Sequence, residues 1–164
     1  MTDSVSISER LAGSHLVHVD ARVLALHLLA DAEMSPLTRE VVSGMREGRV
    51  RAQTSVMTLY QLLAELYRRG EAVRAGDLAR DLTVHNGLVM VATTAEIAIQ
   101  AAEVRAQLGG RPERAIQVAT ALVERADVFL TTDSTLRRIA GMSVVNLEDF
   151  SRSSHPDEPA APVP

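Results

Sequence analysis

The chain has 164 residues and a formal net charge of -4, enough for one domain with a sizeable core and too acidic for wholesale attraction to nucleic acid. It has no cysteine, which excludes disulfide scaffolds, thiolate metal sites and cysteine nucleophiles. All 17 basic residues are arginine, so lysine Schiff bases and a phosphate-loop lysine are excluded, and aromatics at 2% are too few for a base-stacking platform.

Residues 1–13 read as a flexible polar leader without the basic flank and apolar core of a signal peptide. HLVHVD (15–20) is a short β-rich run ending on an acid and predicts the first strand. ARVLALHLLAD (21–31) carries Val23, Leu24, Leu28 and Leu29 at helical spacing. Ser35-Pro36 marks a second helix start, with the stop expected between Gly44 and Gly48. VRAQTSV (50–56) predicts the second strand. Helices follow over 58–70, closing on Gly70, and over 73–85. An Asn-Gly pair at 86–87 leads into the strand LVMVATT (88–94). Thr93 and Glu96 form a capping-box pattern for a helix over 94–108. PERAIQVATALVERA (112–126) predicts the next helix and DVFLTTD (127–133) a buried strand. STLRRIAG reads as a short helix and SVVNLEDF (143–150) as the last strand. The segment 151–164 holds four of the six prolines and is expected to be a disordered tail.

Strands alternating with helices predict an α/β domain over 14–150, a three-layer α/β/α arrangement around a central, mainly parallel sheet. No apolar run is long enough to span a bilayer, so a soluble, cytoplasmic chain is expected. In parallel sheets functional groups gather beyond the carboxyl ends of strands, which selects Asp20 and Asp133. Two carboxylates there would suit a hard cation such as Mg²⁺ or Mn²⁺. Each could equally cap the helix that follows it, Asp133 standing directly before STLRRI.

The segments VDARVLALHL, TSVMTLYQLL, PERAIQVATAL and FLTTDSTLRRIAGMSV resemble, in order, the four motifs of PIN domains, particularly VapC-type toxins of toxin–antitoxin pairs. ATAL followed by a strand ending in LTTD is the most specific part. The resemblance implies a metal-dependent endoribonuclease in which four acids hold Mg²⁺ or Mn²⁺. It implies RNA as substrate and an antitoxin or a second copy of the chain as partner. Carried over residue by residue, the acids fall on Asp20, Gln61, Arg114 and Asp133, so two of the four are replaced. Glu65, one turn beyond Gln61, and Glu113, beside Arg114, are the nearest carboxylates that could substitute.

The replacements matter physically. Gln61 keeps an oxygen but loses charge. A guanidinium at position 114 about 4 Å from a dication would oppose it by about 8 kcal/mol at an effective dielectric of ~20. Arg22, two residues after Asp20, adds a second cation. Two functions follow: an active Mg²⁺- or Mn²⁺-dependent endoribonuclease toxin, or a PIN-like binding or regulatory module that has lost hydrolysis. In the second, Arg22 and Arg114 pair with Asp20 and Asp133, and the former active site becomes structural or holds a phosphate. Loss of Asp20 would then leave a guanidinium unpaired and destabilise the fold.

Other polar residues carry less. His15, His18 and His27 form no recognisable ligand set and read as core or surface histidines. Thr131 and Thr132 could hydrogen-bond a phosphate or a carboxylate, and Ser55 and Thr58 could cap the helix after the second strand. Arg49, Arg51, Arg68-Arg69 and Arg137-Arg138 could line a phosphate-binding rim or simply end helices in solvent. No G-x-S-x-G or G-x-G-x-x-G occurs.

Overall fold

Three buried valine-flanked residues, Val17–Val19, form strand β1 at the centre of a five-stranded sheet. The structure is a computed structural model that describes residues 6–29, 35–84 and 87–153. The predicted tail from 154 onward, Asn86 of the Asn-Gly pair and the end of the helix predicted over 21–31 lie outside the described residues. The other strands are β2 (Ala52–Ser55), β3 (Leu88–Val91), β4 (Val128–Thr131) and β5 (Ser143–Asn146). Their order is β3-β2-β1-β4-β5, and every neighbouring pair is parallel.

The helices are α1 (Ile7–Ala12), α2 (Ala21–Leu29), α3 (Ser35–Arg46), α4 (Val56–Arg68), α5 (Ala72–Val84), α6 (Ala95–Leu108), α7 (Pro112–Val123) and α8 (Glu148–Ser153). Side chains alternate across the sheet, so each strand feeds two cores. Val17, Val19, Val128 and Leu130 pack with Leu62 and Leu66 of α4 and Leu78 and Leu82 of α5. Phe129 packs on the opposite face with Ile97 and Val104 of α6 and Val118 of α7. Each fully buried Val, Leu or Phe contributes about 1.5–3 kcal/mol over its exposed state. These are the three layers expected from the alternating pattern.

Four local readings are corrected. Residues 7–12, taken as leader, form α1: Ser6 Oγ accepts from Glu9 N at 3.2 Å, Glu9 Oε2 accepts from Ser6 N at 3.0 Å, and Ile7 and Leu11 are buried. That is a capping box preceding an apolar pair. Helix α6 is capped by Thr94, not Thr93, whose hydroxyl accepts from Ile97 N at 3.2 Å. STLRRIAG is not helical: after one turn closed on Asp133, by Thr135 N–H to its carboxylate at 3.0 Å and Leu136 N–H to its carbonyl at 3.1 Å, the chain leaves the helical path and Ile139 bridges to Met142. The last strand ends at Asn146, whose side chain accepts from Glu148 N at 3.0 Å and begins α8.

Candidate active site

The strand order reverses between β1 and β4, and the crevice beyond their carboxyl ends is where open α/β sheets bind ligands. A pocket of about 380 Å³ opens there, and Asp20, Gln61, Arg114 and Asp133 all line it, as do Arg22 and Glu113. Residues far apart in sequence thus converge because β1 and β4 pair in register, Val19 opposite Leu130. Glu65 does not reach the pocket. One turn along α4 it turns to solvent, where Arg68 and Arg69 each hold it at 2.7 Å and pull its carboxyl down to about 2.

The two aspartates sit in different environments. Asp20 is half-buried, and Oδ2 accepts from the Thr131 hydroxyl at 2.6 Å. Burial pushes its carboxyl above the ordinary range, outweighing the Thr131 hydrogen bond and the Arg22 charge. Asp133 is buried, with Oδ1 accepting from the Thr135 amide at 3.0 Å and hydroxyl at 2.6 Å. Its Oδ2 lies 3.6 Å from Arg114 Nη1 and 3.8 Å from Arg22 Nη1. Desolvation raises its carboxyl, but the Thr135 bonds and the two arginines together hold it below the usual range. Both guanidiniums therefore lie against Asp133, whereas the sequence suggested one for each aspartate. Asp20 accepts the Thr131 hydroxyl and the Arg22 backbone N–H, and it also feels the Arg22 charge.

Gln61 is held by a hydrogen-bond chain with a fixed direction. The Thr54 hydroxyl donates to the Val19 carbonyl at 2.7 Å, an atom with no proton to give. Thr54 Oγ1 therefore accepts from the Thr58 hydroxyl at 2.7 Å. With its proton spent, Thr58 accepts from Gln117 Nε2 at 2.7 Å. Gln117 Oε1 then accepts from His18 Nε2–H at 2.8 Å, and the second Nε2 proton goes to Gln61 Oε1 at 3.3 Å. The Gln61 oxygen is thereby committed to Gln117, and the group Gln61 has left to offer the pocket that it lines is its amide N–H₂.

His18 is the buried end of this chain. It stacks on Phe129 with centroids 5.2 Å apart, and burial lowers its pKa to about 4, so it stays neutral. Thr54, Thr58 and Gln117 are buried too, and the sequence reading missed their role. The available signal was Gln117 itself, an amide on the inward face of an otherwise alanine- and valine-rich helix. Ser55 caps α4, accepting from Met57 N at 3.2 Å, while Thr58 belongs to the chain instead.

The arginines proposed as a rim lie elsewhere: Arg49 pairs with Glu47, Arg68 and Arg69 with Glu65, and Arg137 with Asp149. Arg22, Arg111 and Arg114 line the pocket in their place.

A PIN domain family model matches residues 19–142. The chain belongs to the PIN domain family. No curated protein matches it at a significant level. Among solved structures it is similar to VapBC2 from Rickettsia felis bound to a promoter DNA fragment, at 12% identity and a TM-score of 0.63, covering 80% of this chain and 98% of that one. DNA-bound VapBC from Salmonella typhimurium aligns at 17% identity and a TM-score of 0.62, covering 80% and 97%. The sarcin-ricin loop cleaving toxin VapC20 from Mycobacterium tuberculosis aligns at 18% identity and a TM-score of 0.57, covering 84% and 94%. These likenesses show the fold that PIN domains share.

PIN domains generally use divalent metal ions, but the donors of this one do not fit such an ion. Asp133 Oδ2 faces two guanidiniums, and the Gln61 oxygen is taken by Gln117. Among the described residues no three His, Asp or Glu side chains converge as metal ligands would. Nor, among those residues, is any helix long and apolar enough to cross a membrane.

Proposed function

We propose that this PIN-domain protein has lost metal-dependent RNA cleavage and acts as a VapC-like binding or regulatory module in the cytoplasm. The carrying observation is Asp133, whose outward oxygen lies within 4 Å of both Arg22 and Arg114. A dication entering there would meet two positive charges beside the carboxylates of Asp133 and Asp20, whose own repulsion those charges offset. The partner this reading supports is a protein of the antitoxin kind, by analogy with the VapBC complexes that share the fold, alongside a second copy of the chain. RNA is the remaining candidate ligand.

A second reading, an active Mg²⁺- or Mn²⁺-dependent endoribonuclease toxin, is favoured by Glu113. Its Oε2 is buried on the pocket wall without a hydrogen-bond partner, one position along α7 from Arg114. It would make a third carboxylate beside Asp20 and Asp133.

Calorimetric titration with Mn²⁺, with Asp20→Asn as control, separates the two. No binding at millimolar Mn²⁺ is the expected result. Micromolar binding that Asp20→Asn abolishes would overturn the proposal in favour of the nuclease.

A further inference from the structure

We propose that the pocket is a metal-independent receptor for a phosphate monoester, bound by the Gln61 amide and the guanidiniums of Arg22 and Arg114. The inference rests on the non-hydrolytic reading above and names the ligand of the same pocket.

Three observations carry it. First, the chain from the Val19 carbonyl through Thr54, Thr58 and Gln117 commits Gln61 Oε1 to Gln117, so the group Gln61 has left for a ligand in the pocket it lines is its amide N–H₂. A position that would offer a cation an oxygen offers an oxyanion two N–H groups. Second, Arg114 Nε is buried without an acceptor, although Nη1 of the same guanidinium donates to the Thr135 hydroxyl at 3.2 Å. The guanidinium that lines the pocket is therefore not fully satisfied by the protein, and an oxyanion accepting from its Nη groups would compensate it. Third, the contacts of Arg22 and Arg114 with Asp133, 3.8 and 3.6 Å, are longer than the roughly 2.7–2.9 Å of a charge-assisted hydrogen bond. Their N–H groups remain available to a better-placed acceptor.

The pocket's own acids select the form of the anion. Asp133 is offset by the two arginines and saturated at Oδ1 by Thr135. Asp20 already accepts the Thr131 hydroxyl. Glu113, which lines the pocket one residue before Arg114, adds a carboxylate that suits a hydroxyl beside the anion. A phosphate carried on a sugar supplies both groups, and a pocket of about 380 Å³ admits it. Either the phosphorylated end of an RNA or a free sugar phosphate presents this chemistry.

The test is calorimetric titration in EDTA with inorganic phosphate, ribose 5-phosphate and a short 5′-phosphorylated oligoribonucleotide, the last two each against its unphosphorylated form. Phosphate-dependent binding of ribose 5-phosphate is expected, stronger than that of inorganic phosphate. Gln61→Glu can still accept from Gln117 but offers no proton, and it should weaken binding about tenfold or more. Arg22→Ala, a change at an exposed side chain, should weaken it similarly whether or not Gln61→Glu folds. Tighter binding of the oligoribonucleotide than of the sugar phosphate assigns the ligand to RNA ends, and equal binding to free sugar phosphates. No phosphate-dependent binding at millimolar concentration, or binding that both variants leave intact, overturns this inference. If Mn²⁺ also fails to bind, the non-hydrolytic reading survives that result. Phosphate binding that appears only with Mn²⁺ sinks both.

Discussion

Arg114 Nη1 lies 3.6 Å from Asp133 Oδ2 across the mouth of the parallel sheet, joining the first turn of α7 to the chain just beyond β4. The same Asp133 ties down Thr135 with its other oxygen. Asp133 is therefore a structural acid as much as a pocket acid, and its carboxyl is depressed where that of Asp20 is raised.

That difference predicts opposite behaviour. Asp133→Asn should cost about 1–2 kcal/mol at pH 7, through the lost charge-assisted bonds. Because the folded-state pKa of Asp133 is depressed, its contribution is present above the unfolded carboxylate range and is lost as pH falls through the folded value. Urea denaturation of the two proteins should show a gap at pH 7 that narrows as pH falls below the ordinary carboxylate range. A gap independent of pH would mean that charge is not what Asp133 contributes.

Asp20→Asn should leave stability at pH 7 unchanged or raised. Burial lifts the Asp20 carboxyl, so its ionisation in the folded state subtracts stability as pH rises through the folded value. Asparagine keeps an acceptor for the Thr131 hydroxyl without the charge. This reverses the expectation, drawn from sequence, that removing Asp20 strands a guanidinium, since both arginines face Asp133. A loss above about 1 kcal/mol on denaturation would restore the earlier picture.

How far the pocket could be read from the chain differs residue by residue. Asp20, Gln61, Arg114 and Asp133 all line one pocket: the two aspartates follow the paired strands β1 and β4, and Gln61 and Arg114 come from the helices α4 and α7 packed beside them. The pairing of Arg22 with Asp133 was not legible, because it depends on how far a flexible side chain reaches across the crevice between β1 and β4. The direction of Gln61 was not legible either. It descends from a backbone carbonyl through three side chains on three elements. The same limit applies to STLRRIAG: its helix propensity was plain, but only one turn closes on Asp133 before Ile139 bridges to Met142.

His18 should make the fold acid-sensitive. Its folded pKa is about 4 against an ordinary 6.5, so stability is complete above about 6.5 and is lost as pH falls toward 4. Between pH 7 and pH 5 the loss should be about 2 kcal/mol, at ~1.4 kcal/mol per pH unit over the range concerned. His18→Gln should flatten the profile over that range. A wild-type profile that is already flat there would show that His18 is not held neutral.

Gln117→Leu keeps the volume and removes the hub. It leaves His18 Nε2–H and Gln61 Oε1 without their partner and should cost about 2–4 kcal/mol. A melting temperature within 2 °C of wild type, with a difference of 1 kcal/mol worth roughly 2–4 °C in a domain of this size, would remove the chain's structural role.

Gln61→Glu combined with Arg114→Asp should create Mn²⁺ affinity where the parent has none, seen by calorimetry. The pair restores a carboxylate and removes the nearer cation from Asp133. A folded double variant that still ignores Mn²⁺ would argue against the correspondence of these positions with the metal-holding acids of the family.

The pairing of β1 with β4 also has a consequence for timing during synthesis. Thr131 and Asp20, joined at 2.6 Å, are 111 residues apart, and Asp127, which accepts from the His15 and Leu16 amides at the other end of the same strands, is as distant. At roughly 5–20 residues per second, several seconds separate translation of the first wall of the pocket from that of the second. Over that interval the nascent chain carries Asp20 without Thr131, Arg22 without Asp133, and a central strand with one edge unpaired. The pocket comes into being only when translation has passed Thr135, so a chain stalled earlier lacks one of its walls.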